Sequence, residues 1–168
     1  GTLVPVPWQK DSLAQLQVTM HEHDGGAFYG DPRHVLAAVL ERITALGLTP
    51  VVAIEYEFYF IDRERGADGL PQPPRGPLTG RREFRTQINA MTDLNEYSAV
   101  LAQIARDCLA QAVPATSALS EYGPGQYEVN LQHLPDALAA CDQALRFKRI
   151  VKSVARAHGM DATFLPKP

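Results

Sequence analysis

The chain has 168 residues, a net charge of −3, 45% hydrophobic residues and 21% charged residues. This length suits a single domain with a real core, and this balance excludes a disordered chain, a nucleic-acid-binding tail and a membrane protein. No apolar run approaches the roughly 20 residues that span a bilayer, and no secretory signal is visible. Cys108 and Cys141 lie in helical patterns and are expected to stay reduced. We therefore expect a cytoplasmic protein with neither nucleic-acid nor membrane partners.

The first half of the sequence alternates strand and helix signals. Its predicted elements are a strand at 13–20, a helix at 31–47, a strand at 51–61, a long loop at 62–80 and a weak strand at 82–91. Alternating polarity and β-branched or aromatic residues indicate the strands. Asp31 followed by Pro32 indicates the start of the helix, and Gly47 indicates its end.

The second half predicts a helix, a hairpin, the longest helix and a last strand at 160–165. Asp93 is expected to cap the first of these helices, with Glu96 completing a capping box. A Gly-Pro-Gly turn at 123–125 joins two strands as a hairpin, and Pro135 begins the longest helix. The predicted fold is therefore α+β, a curved and mainly antiparallel sheet with an acidic open face, backed by three helices.

Four carboxylates mark the polar side of two predicted strands. Glu55 and Glu57 interrupt an apolar strand and share a face at i and i+2, while Glu121 and Glu128 flank the Gly-Pro-Gly turn. Like charges in such a strand repel each other and lose hydration. Hard divalent cations such as Mg²⁺ or Mn²⁺ would relieve both costs. The alternative is that all four acids are simply solvated.

Other polar groups have a functional interpretation and a simpler one. His21 and His23 could hold a transition metal, although a polar hairpin tip is the commoner arrangement. Arginines of the 62–80 loop could meet an anion, although a solvated loop is commoner. The basic residues of the longest helix are expected on a solvated face, because an overall acidic chain does not favour nucleic-acid binding.

Several motifs, in order along nearly the whole chain, resemble the glutamine synthetase family. Residues 54–59, Ile-Glu-Tyr-Glu-Phe-Tyr, resemble its Glu-x-Glu-Phe strand. Residues 121–128, Glu-Tyr-Gly-Pro-Gly-Gln-Tyr-Glu, resemble its second acidic motif. Residues 147–168 are similar to the helix and strand that follow that motif, and residues 7–8 and 31–36 are similar to the opening of the catalytic domain.

The resemblance implies a ligase that uses ATP to phosphorylate the γ-carboxylate of glutamate, after which ammonia or an organic amine displaces the phosphate. It implies two divalent ions, Mg²⁺ or Mn²⁺. Glu57, Glu121 and Glu128 would hold the ion that faces glutamate and the amine, and Glu55 would help to hold the ion that faces ATP. Glu121 and Glu128 would also bind the substrate amine. The form of the second motif is closer to γ-glutamylpolyamine and γ-glutamylamide synthetases, which favours an organic amine.

The resemblance covers part of the family's catalytic domain. Residues 1–168 are therefore expected to be a partial catalytic domain, without the family's N-terminal β-grasp domain and without its C-terminal half. We expect the isolated chain to be inactive, with no residue assigned a direct catalytic role, and the full-length protein to form a homo-oligomeric ring. Two alternatives are a non-catalytic metal-binding or assembly module of this family and a structural domain with a solvated acidic face.

Overall fold

A computed structural model describes residues 2–168. The strands are β1 (Val4–Pro5), β2 (Ala14–Gln15), β3 (Glu55–Ile61), β4 (Ala115–Ser120), β5 (Gln126–Leu131) and β6 (Asp161–Thr163). The helices are α1 (Pro32–Ala45), α2 (Met91–Glu96), α3 (Ser98–Ala110) and α4 (Ala137–Ala157). Across these residues the fold is α+β as predicted, with four helices rather than three. None of these helices has both the length and the hydrophobicity needed to cross a membrane.

The main sheet has the strand order β4-β5-β3-β6, with every neighbouring pair antiparallel. Its apolar face carries Phe58 and Phe60 of β3 and Tyr127 of β5, all at most 1% exposed. Helices α3 and α4 cover this face, and Phe147 of α4 is fully buried against it. Each such aromatic side chain contributes roughly 1.5–3 kcal/mol of burial free energy. The opposite face of the sheet remains open and polar.

The helix-start prediction for α1 is confirmed. Asp31 is the N-cap, and its carboxylate accepts the Arg33 N–H at 2.8 Å and the Met20 N–H at 2.6 Å. Gly47 has a φ of 72° just after the helix. The helix packs on α4 through a bidentate ion pair between Arg33 and Asp142, at 2.9 and 3.0 Å. No residue of α1 is fully buried, so this helix contributes no residue to the buried core.

The predicted capping box at Asp93 is wrong. Helix α2 begins two residues earlier at Met91, after Ala90, and no side chain caps it. The Glu96 carboxylate accepts instead the backbone N–H groups of Leu78 and Thr79, at 2.7 and 2.9 Å. The local pattern assigned the Glu96 carboxylate to the helix start. In the structure this carboxylate accepts instead from a loop whose two donors lie 18 and 17 residues earlier in the chain.

Several predicted strand boundaries needed correction, including the last strand, which was predicted at 160–165 and spans only Asp161–Thr163. The strand at 13–20 reduces to β2, and the strand at 51–61 begins only at Glu55, since Val52 makes an isolated bridge to Leu134. Residues 82–91 form no strand. Arg82 anchors this segment by side-chain contacts, because its guanidinium bonds to Asp62 and to a loop carbonyl. Both cysteines are free, as predicted.

Asp107 is a buried acid in α3, and one of its carboxylate oxygens has no hydrogen bond within the described residues. It is 8% exposed, and its Oδ2 has no hydrogen-bond partner within residues 2–168. Burial raises the pKa of this carboxyl, and the neighbouring Arg106 offsets only part of that effect. A raised pKa in the folded state means that the ionised form of Asp107 opposes folding.

We expect Asp107→Asn to stabilise the fold by about 1 kcal/mol at about pH 7. Because the folded pKa lies above the unfolded value, the penalty is complete above the folded pKa and disappears as the pH falls through it. The gain, measured by urea unfolding, should therefore shrink at about pH 4. The exposed Asp11 gives the control variant Asp11→Asn, which should change stability little at either pH. Equal stabilities of Asp107→Asn and wild type at neutral pH would contradict this prediction.

Candidate metal and substrate site

The register of β3 against β5 places three of the predicted acids on the open face. Glu57 lies directly opposite Glu128, and Glu55 lies opposite Asn130. Side chains of directly opposite residues point to the same face, with Cβ atoms roughly 4.5–5.5 Å apart. Glu55 and Glu57 are exposed, and Glu128 is half-buried. These two strands therefore form an acidic surface on the side of the sheet away from the helices.

The hairpin turn brings the fourth acid to the same surface. Glu121 follows β4, and its backbone N–H donates to the carbonyl of Gln126 at 2.9 Å, which extends the β4–β5 pairing by one residue. The Gln126 N–H donates to the Gly123 carbonyl at 2.9 Å, and Gly125 has a φ of 74°. Proline followed by a left-handed glycine is typical of a type II turn.

The pKa shifts show that these acids act on one another. Burial raises the pKa of Glu128, and Glu121, Glu55 and Glu57 raise it further, while a hydrogen bond from Asn130 opposes the shift. Burial also raises the pKa of the half-buried Tyr59 next to this surface, with Glu57 and Glu121 adding to the effect. No salt bridge in the described part of the chain involves the four acids.

The four acids lie on one surface, but their side chains do not converge on a single position. Among residues 2–168, no three His, Cys, Asp or Glu side chains are arranged closely enough to hold a metal ion. The Oε2 atom of Glu57 accepts a hydrogen bond from the Gln126 side chain at 2.6 Å instead. The metal role of these residues therefore stays a prediction. The backbone register favours a metal site because it brings the acids to one face. The side chains, however, are not arranged around a common point.

Two residues beside the acids were not singled out from the sequence. Alternating polarity in residues 126–131 places Gln126 on the polar face with Glu128, but it gives no sign that the amide of Gln126 would bond to Glu57. Tyr59 follows Glu57 by two residues on the same face, and its ring packs against Gly123. A cleft of about 350 Å³ has Tyr59, Gly123 and Lys167 among its lining residues. Period-two spacing alone would have placed Tyr59 beside the acids.

The other polar groups singled out in the sequence do not gather into a site. Arg63 and Arg75 each donate to a backbone carbonyl, so they do not converge on an anion. Both ring nitrogens of His21 contact groups of its own hairpin. A second cleft, of about 440 Å³, lies between the 73–87 loop and α2 and contains none of the four acids. The acidic face therefore remains the principal candidate.

The fold and the two acidic motifs agree with the comparisons to known proteins. The family model for the glutamine synthetase catalytic domain matches residues 29–168. The chain belongs to the glutamine synthetase family, as its motifs predicted. A GmaS–ADP complex superimposes with a TM-score of 0.83 and 28% identity, covering 99% of this chain and 36% of that one.

Two similar proteins carry names that specify an organic amine. Gamma-glutamylputrescine synthetase PuuA of Escherichia coli K12 is 41% identical over 168 residues, which are 100% of this chain and 36% of that protein. Glutamate–isopropylamine ligase of a Pseudomonas species is 30% identical over 169 residues, again 100% of this chain and 36% of that protein. The chain thus spans about a third of the length of these relatives.

We expect Gly125→Ala to destabilise the hairpin by about 3 kcal/mol. A Cβ at this position would lie 2.8 Å from the backbone carbonyl oxygen of Phe60, and the positive φ adds strain. Gly159→Ala is the matched control, because Gly159 has a φ of 78° but open space around it; it should cost about 1 kcal/mol. Thermal and urea unfolding measure both. Equal losses would mean that the close approach to Phe60 relaxes without cost.

Proposed function

We propose that the acidic face of β3 and β5 binds two divalent cations, Mg²⁺ or Mn²⁺, in an ATP-dependent carboxylate–amine ligase. In this reaction the γ-carboxylate of glutamate takes the terminal phosphoryl group of ATP and releases ADP. An amine nitrogen then attacks the acyl carbon and phosphate leaves. The supporting observation is the register that sets Glu57 opposite Glu128 and brings Glu121 beside them, in a chain of the glutamine synthetase family.

The residues present fit such ions chemically. Carboxylate oxygens are the ligands that Mg²⁺ and Mn²⁺ prefer. Burial and three neighbouring acids raise the pKa of Glu128, and no salt bridge among residues 2–168 involves any of the four acids. We assign Glu57, Glu121 and Glu128 to one ion and Glu55 to the other. Bound there, the ions would neutralise charge that develops on the phosphoryl oxygens.

The side chains of this surface also suit a cationic amine. Glu121 and Glu128 would attract an ammonium group by charge, and this group must lose one proton to a carboxylate or to water before its nitrogen can attack the acyl carbon. The half-buried ring of Tyr59 borders the same surface. An aromatic face next to carboxylates binds organic ammonium groups by cation–π attraction. Both relatives reported above are named for organic amines, putrescine and isopropylamine, and we propose an organic amine as the acceptor.

A second candidate is a non-catalytic module of the same family that binds metal or serves in assembly. The observation that favours the assembly role is that the acids do not converge within the described residues. In that case the four acids would face solvent or a partner chain, and glutamate and amine would not cause release of ADP. The acceptor assay separates the two candidates.

We expect Mn²⁺ to bind the full-length protein in calorimetric titration and to raise its melting temperature, since a ligand of the folded state stabilises it. The double variant Glu57→Gln, Glu121→Gln should bind at least about tenfold more weakly, because it removes two charged ligands of one ion. The control Glu22→Gln, Glu41→Gln removes two exposed acids elsewhere in the chain and should bind as wild type does. Equal affinity of all three proteins would refute the assigned site.

We expect ADP release that depends on glutamate to be faster with putrescine or isopropylamine than with ammonia, in kcat/KM. Tyr59→Ala should reduce this preference about tenfold by removing the ring, whereas Tyr59→Phe should keep it. A preference of the wild type for ammonia would refute the organic-amine assignment. If wild type and both Tyr59 variants release ADP without selectivity among the acceptors, Tyr59 does not select the amine.

A further inference from the structure

The side chain of Gln126 joins the hairpin turn to Glu57. Its Oε1 accepts the backbone N–H of Gly123 at 2.7 Å, and its Nε2 donates to Oε2 of Glu57 at 2.6 Å. The residue is 8% exposed. Only one orientation of the amide satisfies both contacts, because a backbone N–H donates and a carboxylate accepts. The chemistry of the two partners therefore fixes which end of the amide faces Glu57.

The turn leaves little space for any other arrangement. A Cβ on Gly123 would lie 2.8 Å from Oε1 of Gln126 and 2.8 Å from a ring carbon of Tyr59. Glycine at position 123 thus allows the backbone N–H to reach the amide while the ring closes the other side. The backbone carbonyl of Gln126 also accepts the Glu121 N–H. One residue is therefore bonded both to the strand end that carries Glu121 and to the side chain of Glu57.

We propose that Gln126 is a positioning residue of the acidic face, which holds Oε2 of Glu57 and leaves Oε1 to bind a divalent cation. This inference rests on the proposed function for the identity of the cation. A neutral amide suits the task because it donates to the carboxylate without cancelling its charge. A lysine or arginine would neutralise Glu57, and an acid would add a fifth negative charge to the surface.

The same contacts also stabilise the hairpin, so the test separates positioning from folding. Gln126→Met keeps the length and approximate volume of the side chain and removes both hydrogen bonds. Gln111 offers a matched control. It is fully buried, donates to the Pro5 carbonyl at 2.6 Å and accepts from Gln15 at 3.0 Å, and it belongs to the attachment of the N-terminal segment. Gln111→Met therefore loses comparable contacts away from the acids.

In the full-length protein, we expect Gln126→Met to weaken Mn²⁺ binding in calorimetry by about 10–100-fold, the usual loss when a partner of a metal ligand is removed. It should also change the electron paramagnetic resonance spectrum of bound Mn²⁺. Gln126→Asn, whose shorter amide cannot span both partners, should do the same and serves as a second variant if the first does not fold. Gln111→Met should lower stability while leaving the affinity and the spectrum as in wild type.

The possible outcomes distinguish this inference from the function on which it rests. Wild-type affinity in both Gln126 variants, together with lost binding in Glu57→Gln, would overturn the positioning role and leave the metal site standing. Equal weakening by Gln126→Met and Gln111→Met would also overturn it, because the effect would follow from stability. Absence of Mn²⁺ binding in wild type would remove both proposals.

Discussion

The antiparallel pairing of β3 with β5 is the constraint on which the rest of the structure depends. Glu57 and Glu128 oppose each other on one face, while Phe58 and Tyr127, their neighbours along the chain, oppose each other in the core. A slip of the register by one residue would turn the acids into the core and the aromatic rings into water. Burial of the rings therefore holds together four acids whose charges repel.

The features that could be predicted from the sequence are those that depend on near neighbours. The period of two gave the faces of β3 and β5, and the Gly-Pro-Gly turn gave the hairpin and its antiparallel sense. Asp31 and Gly47 marked the ends of α1 because the Arg33 N–H that Asp31 caps and the Thr44 carbonyl that accepts the Gly47 N–H lie within a few residues. The period of two also placed Glu55 with Glu57 on one polar face and Glu128 on another, whereas the pairing of β3 with β5 that joins these faces links residues far apart in the chain.

The features that could not be predicted depend on partners distant in sequence. The local pattern made Glu96 one half of a capping box. In the structure its carboxylate accepts the backbone N–H groups of Leu78 and Thr79 instead. The helix predicted from Asp93 is interrupted at Tyr97, whose ring is buried and stacks on Phe60. The bond between Gln126 and Glu57 spans 69 residues. A polarity pattern reports which face a side chain occupies, and it does not report which partner the side chain meets there.

The hairpin turn has a consequence for how this surface can vary among related sequences. Gly123 and Gly125 are fixed by close approaches to neighbouring atoms, and Pro124 between them restricts the backbone. Tyr122 beside them is 62% exposed. Within the turn, Tyr122 next to Glu121 is therefore the position at which a substitution is least restricted. A substitution at Tyr122 should therefore disturb the hairpin less than a substitution at Gly123 or Gly125.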